Sequence, residues 1–438
     1  MKKINYTYLF SPLAWLLVCT TMIMGITACH KDADSNEAED TPQSARFSFI
    51  LKLPGELSVD SRAGGSVPSL SGIPFNDVWV LQYKVETGNT TTLSAAKYYT
   101  GESITGEAQS DYLVIVPTGD GGSNAYFTNE ESRFYIIVNG GINLLGEQAA
   151  DGSAPTLSTI QENYKSEDGI KSLLQSIPAD IAAEPGVLAV EKGIDFTPGT
   201  TDATDAGGAA SIPIRATLVR TYARIDVCYQ NTKPEDGKFT PTDAVLVNQP
   251  THLALFSAEG KSTPYPPVSV GADVEASQNH ISTTEVSLKN GDWTANPWQE
   301  RTETDKNALT FYTSENLRGQ GTATTYSGKS QSGNGPGTGG SLEGCTHLIL
   351  RGTYQYRTGF DASSKDPIYS TDGIGVEYKI YLGGNLTNDY NVRRNMHYTV
   401  TVNIGGANSV DARVTITDGN VIVFDDSDTI ENTVDFNS

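Results

Sequence analysis

The chain has 438 residues, more than one ordinary domain, and 52 Asp and Glu against 30 Lys and Arg leave a formal net charge of −22. So acidic a surface repels phosphate backbones and anionic lipid headgroups, which excludes nucleic-acid binding as a main role. Charge is otherwise thinly spread and Gly, Thr, Ser and Tyr are plentiful, the texture of a secreted β protein with long polar loops.

Lys2 and Lys3 precede an apolar stretch, Leu13 to Ile26, that closes on Ile26-Thr27-Ala28-Cys29. A basic start, a short apolar core and small residues before a cysteine spell a lipoprotein signal peptide over residues 1–28, with Cys29 as the lipidated first residue. The apolar core is shorter than the ~20 residues a spanning helix needs. Asp32, Asp34, Glu37, Glu39 and Asp40 then make a solvated tether.

Strand patterns dominate the remainder of the chain. Phe47, Phe49, Leu51 and Leu53 alternate with Ser48, Ile50 and Lys52, a half-buried strand. Val78 to Tyr83, Tyr112 to Val116 and Phe134 to Val138 are short apolar runs closed by Pro, Gly or Asn. Leu157, Ile160, Tyr164, Leu173 and Leu174 recur at loose helical spacing and predict one helix, interrupted by Gly169. The stretch Thr197 to Ala210 is a flexible connector, and it sets the boundary between a domain over 63–204 and a second over 205–438. Residues 29–62 are then the tether and a propeptide containing the first strand.

The second half opens with alternating runs at Ile214 to Arg220 and Ala223 to Tyr229. Gly319 to Ser341 is a loop too poor in apolar side chains to pack. Strand patterns resume at His347 to Leu350, Val376 to Leu382 and Tyr398 to Ile404, and many short strands at near-regular spacing predict a mainly β chain of tandem antiparallel sandwiches.

The residues offer no catalytic constellation and imply no cofactor or metal. His30, His252, His280, His347 and His397 stand singly, without metal-type spacing. Gly335, Gly337 and Gly340 spell Gly-x-Gly-x-x-Gly, but inside the low-complexity loop, with no strand before it or helix after it. Asp425, Asp426 and Asp428 lack the glycine and terminal glutamate of a calcium loop. Cys228, in an apolar strand pattern, reads as a buried free thiol, although pairing with Cys345 stays open.

Three segments of the second half carry a family resemblance. Leu218 to Val227 is similar to the domain-bridging strand pair of the fimbrillins, or type V pilins; Phe311-Tyr312-Thr313-Ser314-Glu315-Asn316 resembles their FYxxEN segment. Tyr378 to Gly383, then Tyr390 to Asn395 and Tyr398 to Val402, resemble their C-terminal signature, with its Arg-Asn pair before the last core strand. Lys31 and the acids after Cys29 likewise resemble a surface-export signal of Gram-negative anaerobes. The resemblance implies two transthyretin-like sandwich domains, outer-membrane lipid attached through Cys29, and other fimbrial subunits, self or related, as partners. It also implies removal of the first strand by an Arg-specific protease and its replacement by another subunit's strand. Arg62, in the polar stretch Val59 to Gly65, is then the expected cleavage site, leaving Ala63 first; Arg46 is the alternative. Val421, Val423, Val434 and Phe436 are the donor-strand candidates, against a final strand folded back on its own domain. The Asp411 to Val414 stretch leans toward minor or tip-type relatives. A surface glycan-binding lipoprotein, with Trp293 and Trp298 stacking on sugar rings, is the alternative function. Cys29→Ala is expected to abolish incorporation of radiolabelled palmitate; unchanged labelling would remove the lipoprotein assignment.

Overall fold

A computed structural model describes residues 44–45, 47–52, 75–100, 104–105, 112–115, 127–176, 185–199, 212–256, 281–282, 286–287, 298–302, 307–407, 421–424 and 427–437. Cys29, Arg46, Arg62, Ala63 and Trp293 lie outside them. The strands of the first half are β1 (Phe47–Lys52), β2 (Asp77–Val85), β3 (Thr91–Thr100), β4 (Tyr112–Ile115), β5 (Ser132–Val138), β6 (Leu188–Val190), β7 (Ile194–Phe196) and β8 (Ile212–Arg220). Those of the second half are β9 (Tyr222–Asn231), β10 (Gly237–Val247), β11 (Leu309–Ser314), β12 (His347–Phe360), β13 (Ile374–Tyr381), β14 (His397–Gly405), β15 (Val421–Phe424) and β16 (Ser427–Asn437).

In the first half one nine-stranded sheet runs β3-β2-β5-β6-β8-β1-β4, ending on residues 104–105, with β7 pairing β5. Between β1 and β5 lie three pairings, about 14 Å across a flat sheet at the usual strand spacing. Yet the rings of Phe47 on β1 and Phe134 on β5 are 5.4 Å apart. The sheet is therefore bent over on itself, and the first core fills the fold. Gly88 (φ 85°) and Asn89 (φ 62°) take the left-handed backbone that reverses the chain between β2 and β3. The predicted helix is two short ones, α1 (Leu157–Tyr164), capped by Thr156, and α2 (Glu167–Lys171). A Cβ on Gly169 would lie 2.7 Å from the Asn163 carbonyl oxygen, so α2 folds back against α1 only because that residue is glycine.

The second half is a sandwich. One sheet is β11-β9-β14-β16-β15; the other holds β10, β12 and β13 with residues 286–287 and 367–369. Alternate residues of both, among them Ile225, Val227, Phe311, Val400 and Val402 facing Phe239, Leu246, Leu350 and Tyr378, form the second core. The pairings are antiparallel except for three parallel ones, β1 with β8, β9 with β14 and β14 with β16. Ile214, Ala216 and Leu218 of β8 pack in the first core and Ala223 begins the second. Tyr222 still packs in the first core, so the chain changes core between Tyr222 and Ala223, beyond the Thr197–Ala210 connector.

The loop Gly319–Ser341 packs, contrary to its composition. Tyr326 sits in the second core. The buried Lys329 lies over the Tyr390 ring and donates to the Asn385 carbonyl at 2.5 Å, and burial pulls its amine down to about 7. Apolar counting misses such a loop because its glycines let backbones touch. A Cβ on Gly340 would lie 2.0 Å from the Gly333 carbonyl oxygen. The Gly335 and Gly337 N–H groups donate to the carbonyls of Gly340 and Ser341, so neither is offered to a phosphate. Cys228 and Cys345 are buried and not joined by a disulfide, and burial pushes the thiol of Cys345 up to about 12.

Asp226 pins three strands of the second sandwich. It accepts from His397 Nε2 of β14 at 2.9 Å and Thr310 Oγ1 of β11 at 2.7 Å, and pairs with Arg224 at 3.0 Å. Burial would raise its carboxyl, but the His397 hydrogen bond and the charges of His397 and Arg224 hold it at about 2. The carboxylate is charged in the fold below the unfolded value of 3.8, so its contribution, about 2 kcal/mol, is present above that pH and disappears as pH falls toward 2. Asp226→Asn is expected to lower the melting temperature at pH 7, with the gap to the parent narrowing between pH 4 and 2 in thermal scans.

Candidate functional site: the groove around the first strand

The side chains that stand out are those of β1, a six-residue strand held on both edges. Along one edge it runs parallel to β8, Phe47 opposite Ile212 through Lys52 opposite Thr217. Along the other, Phe49 to Lys52 pair antiparallel with Ile115 to Tyr112 of β4. The alternation read from the sequence sends Phe47, Phe49 and Leu51 inward, and none is more than 2% exposed.

The groove that receives them is aromatic. The Phe47 ring lies 6.0 Å from Phe127 and 5.1 Å from Phe196, edge-on to both. Phe49 is edge-on to Phe127 at 5.4 Å and to Phe134 at 5.6 Å. Burying the three side chains of β1 stabilises by roughly 1.5–3 kcal/mol each. Without β1, both β8 and β4 would present unpaired N–H and C=O groups on either side of an open apolar slot.

The back of the groove is fixed where β8 ends. Thr221 Oγ1 donates to the Val187 carbonyl at 3.0 Å. Asn395, in left-handed backbone (φ 55°), accepts from the Arg220 N–H at 3.2 Å and donates its own N–H to the Tyr222 carbonyl at 2.8 Å. Beside it, Arg394 forms a buried ion pair with Glu315, Nη2 to Oε1 at 3.1 Å and Nε to Oε2 at 3.4 Å. Asn316 exchanges backbone hydrogen bonds with Val392 at 2.8 and 2.9 Å, and its Nδ2 donates to the Gly344 carbonyl at 2.9 Å. The Glu-Asn and Arg-Asn segments, 79 residues apart, therefore meet as one clamp at the crossing between cores. The sequence showed the two segments as separate motifs, with nothing in it to say that they meet.

The tail lies elsewhere. The backbone of β16 runs parallel to β14, Val434 opposite Val402 and Phe436 opposite Ile404. Val421 and Val423 of β15 pair with Ile430 and Asp428 of β16. The donor-strand candidates are thus side by side on the second sandwich and pair with neither β1 nor β8. Trp298 does not offer a sugar platform: it is buried at 8% exposure, edge-on to Tyr229 at 4.9 Å, with Nε1 donating to the Asn307 carbonyl. The ring belongs to the second core. Among the described residues no group of three or more His, Cys, Asp or Glu is placed to hold a metal, and no helix is long and apolar enough to cross a membrane.

A family model described as a domain of unknown function, DUF4906, matches residues 311–402, the stretch that carries both halves of the clamp. No curated protein matches. Among solved structures, the tip fimbrial protein Mfa3 of Porphyromonas gingivalis is similar at 12% identity and a TM-score of 0.39, over 89% of this chain and 99% of that one. A Bacteroides eggerthii protein assigned to cell adhesion is similar at 14% identity and TM-score 0.42, over 91% and 98%. A fimbrial assembly protein of Parabacteroides distasonis is similar at 10% identity and TM-score 0.35, over 82% and 92%.

Phe49→Ala removes the ring between Phe127 and Phe134 and is expected to destabilise the chain by about 3–5 kcal/mol in urea unfolding, whereas Lys52→Ala on the opposite face changes it by less than about 1 kcal/mol.

Proposed function

We propose that this chain is a structural, non-enzymatic subunit of a surface fimbrium with a role in adhesion, exported as an outer-membrane lipoprotein through Cys29. The observation that carries the reading is β1: a strand at the chain's N-terminal end, buried on its apolar face and paired on both edges. It is joined to the rest of the first core through the polar stretch that contains Arg62. Cutting after Arg62 makes β1 a separate piece, so that the groove becomes an acceptor for an extended strand, the donor-strand mode of recognition. The tail, with Val421, Val423, Val434 and Phe436, leaves the edge of β14 and is donated to a neighbouring subunit. The resemblance of the clamp segments to fimbrillin signatures points the same way. With Trp298 in the core, nothing described favours a glycan platform.

Fimbrial material sheared from cells is expected to contain this chain starting at Ala63. A chain ending at Asn420 should keep a cooperative melt yet be missing from that material. A first residue other than Ala63 would overturn the cleavage assignment. Incorporation of the truncated chain, or its failure to fold, would overturn donation by the tail.

A further inference from the structure

We infer that the groove around β1 takes its replacement strand from a different protein, one with large apolar residues at three alternate positions and aromatic rings at the first two, and not from a second copy of this chain. The inference rests on the reading of the groove as a strand acceptor. Phe47, Phe49 and Leu51 define three successive seats, and the wall around the first two is made of phenylalanine rings between 5.1 and 6.0 Å away. An occupant in the same parallel register must fill all three from one face of an extended strand.

Residues 407–438 offer no such face. Their large alternate apolar residues come only in pairs: Val414 with Ile416, Val421 with Val423, Ile422 with Phe424, and Val434 with Phe436. The third seat falls to Ala412 or Asp418, Gly419 or Asp425, Asn420 or Asp426, and Asn432 or Ser438 in turn. The longest apolar alternation, Val410-Ala412-Val414-Ile416, puts alanine where a large side chain sits and leaves the surrounding rings without contacts. The run Ile430-Asn432-Val434-Phe436 buries an amide among aromatic rings that give it no hydrogen-bond partner. The backbone of that last segment is moreover matched to β14 over nine consecutive pairs, Thr429 to Asn437. The groove and the tail of this chain therefore fit different partners.

The full-length chain, with a specific protease site inserted within residues 53–74 and nicked after purification, retains β1 by non-covalent contact alone and can exchange it. Fluorescent peptides are offered to it: residues 45–54, residues 408–418, residues 427–437, and the last with Asn432→Leu. The 45–54 peptide is expected to bind at least tenfold more tightly than either native tail peptide, and Asn432→Leu to tighten the 427–437 peptide by about tenfold. A native tail peptide that binds as tightly as 45–54, or an Asn432→Leu peptide no better than its parent, would overturn the inference and leave the acceptor reading intact. If no peptide enters, 45–54 included, the groove is not an acceptor and both readings fall. The uncut Phe49→Ala chain, whose own strand is loosened, serves as a second acceptor should the nicked chain lose its circular dichroism.

Discussion

The first core depends on a strand that the chain contributes from its own N-terminal end, far in sequence from the strands it joins. Among the described pairings β8 and β4 do not pair with each other; β1 stands between them and supplies hydrogen bonds to each. Its two phenylalanines join Phe127, Phe134 and Phe196 in a ring cluster that draws together strands three pairings apart in a bent sheet. Backbone pairing and ring packing fail together if β1 is missing, and for that reason one short segment governs a core assembled from strands spread along half the chain.

The second sandwich acts as the fixed frame against which that core is held. β8 passes into β9 with a single residue between them, and the clamp of Glu315, Arg394 and Asn395 grips the crossing from the far side of the sequence. A buried ion pair of this kind adds little net stability, yet losing one partner strands the other charge in a dry site. It thus specifies an arrangement more than it strengthens one. The wall of the groove keeps its position because the residues after it are anchored, Thr221 by the Val187 carbonyl and the Tyr222 carbonyl by the Asn395 N–H.

Much of this was legible in the residues. The alternation of Phe47, Phe49 and Leu51 gave both the strand and its buried face, and the apolar strand pattern around Cys228 gave the buried thiol, because a strand's period of two is a local property. The misses have a common origin in contacts distant along the chain. The loop Gly319–Ser341 packs through glycine backbones and one buried lysine, which no apolar count registers. Trp298 is buried by Tyr229, a residue 69 positions away. The change of core between Tyr222 and Ala223 was hidden because β8 and β9 read as near-identical strands, and only their partners distinguish them. The strand signatures around Glu315 and Arg394 were visible as motifs, but that the two charges neutralise each other is a fact of three dimensions.

The double-edged pairing of β1 also has a mechanical meaning. A strand gripped on both sides and pulled along its own axis is loaded in shear: its ladder hydrogen bonds share the force at once, where an edge strand peeled sideways would surrender them one by one. The inward rings of Phe47 and Phe49 act as pegs against sliding, since each would have to pass its neighbour's seat before the strand moved a single repeat. Any segment held in this slot resists tension along the chain far better than its modest length suggests.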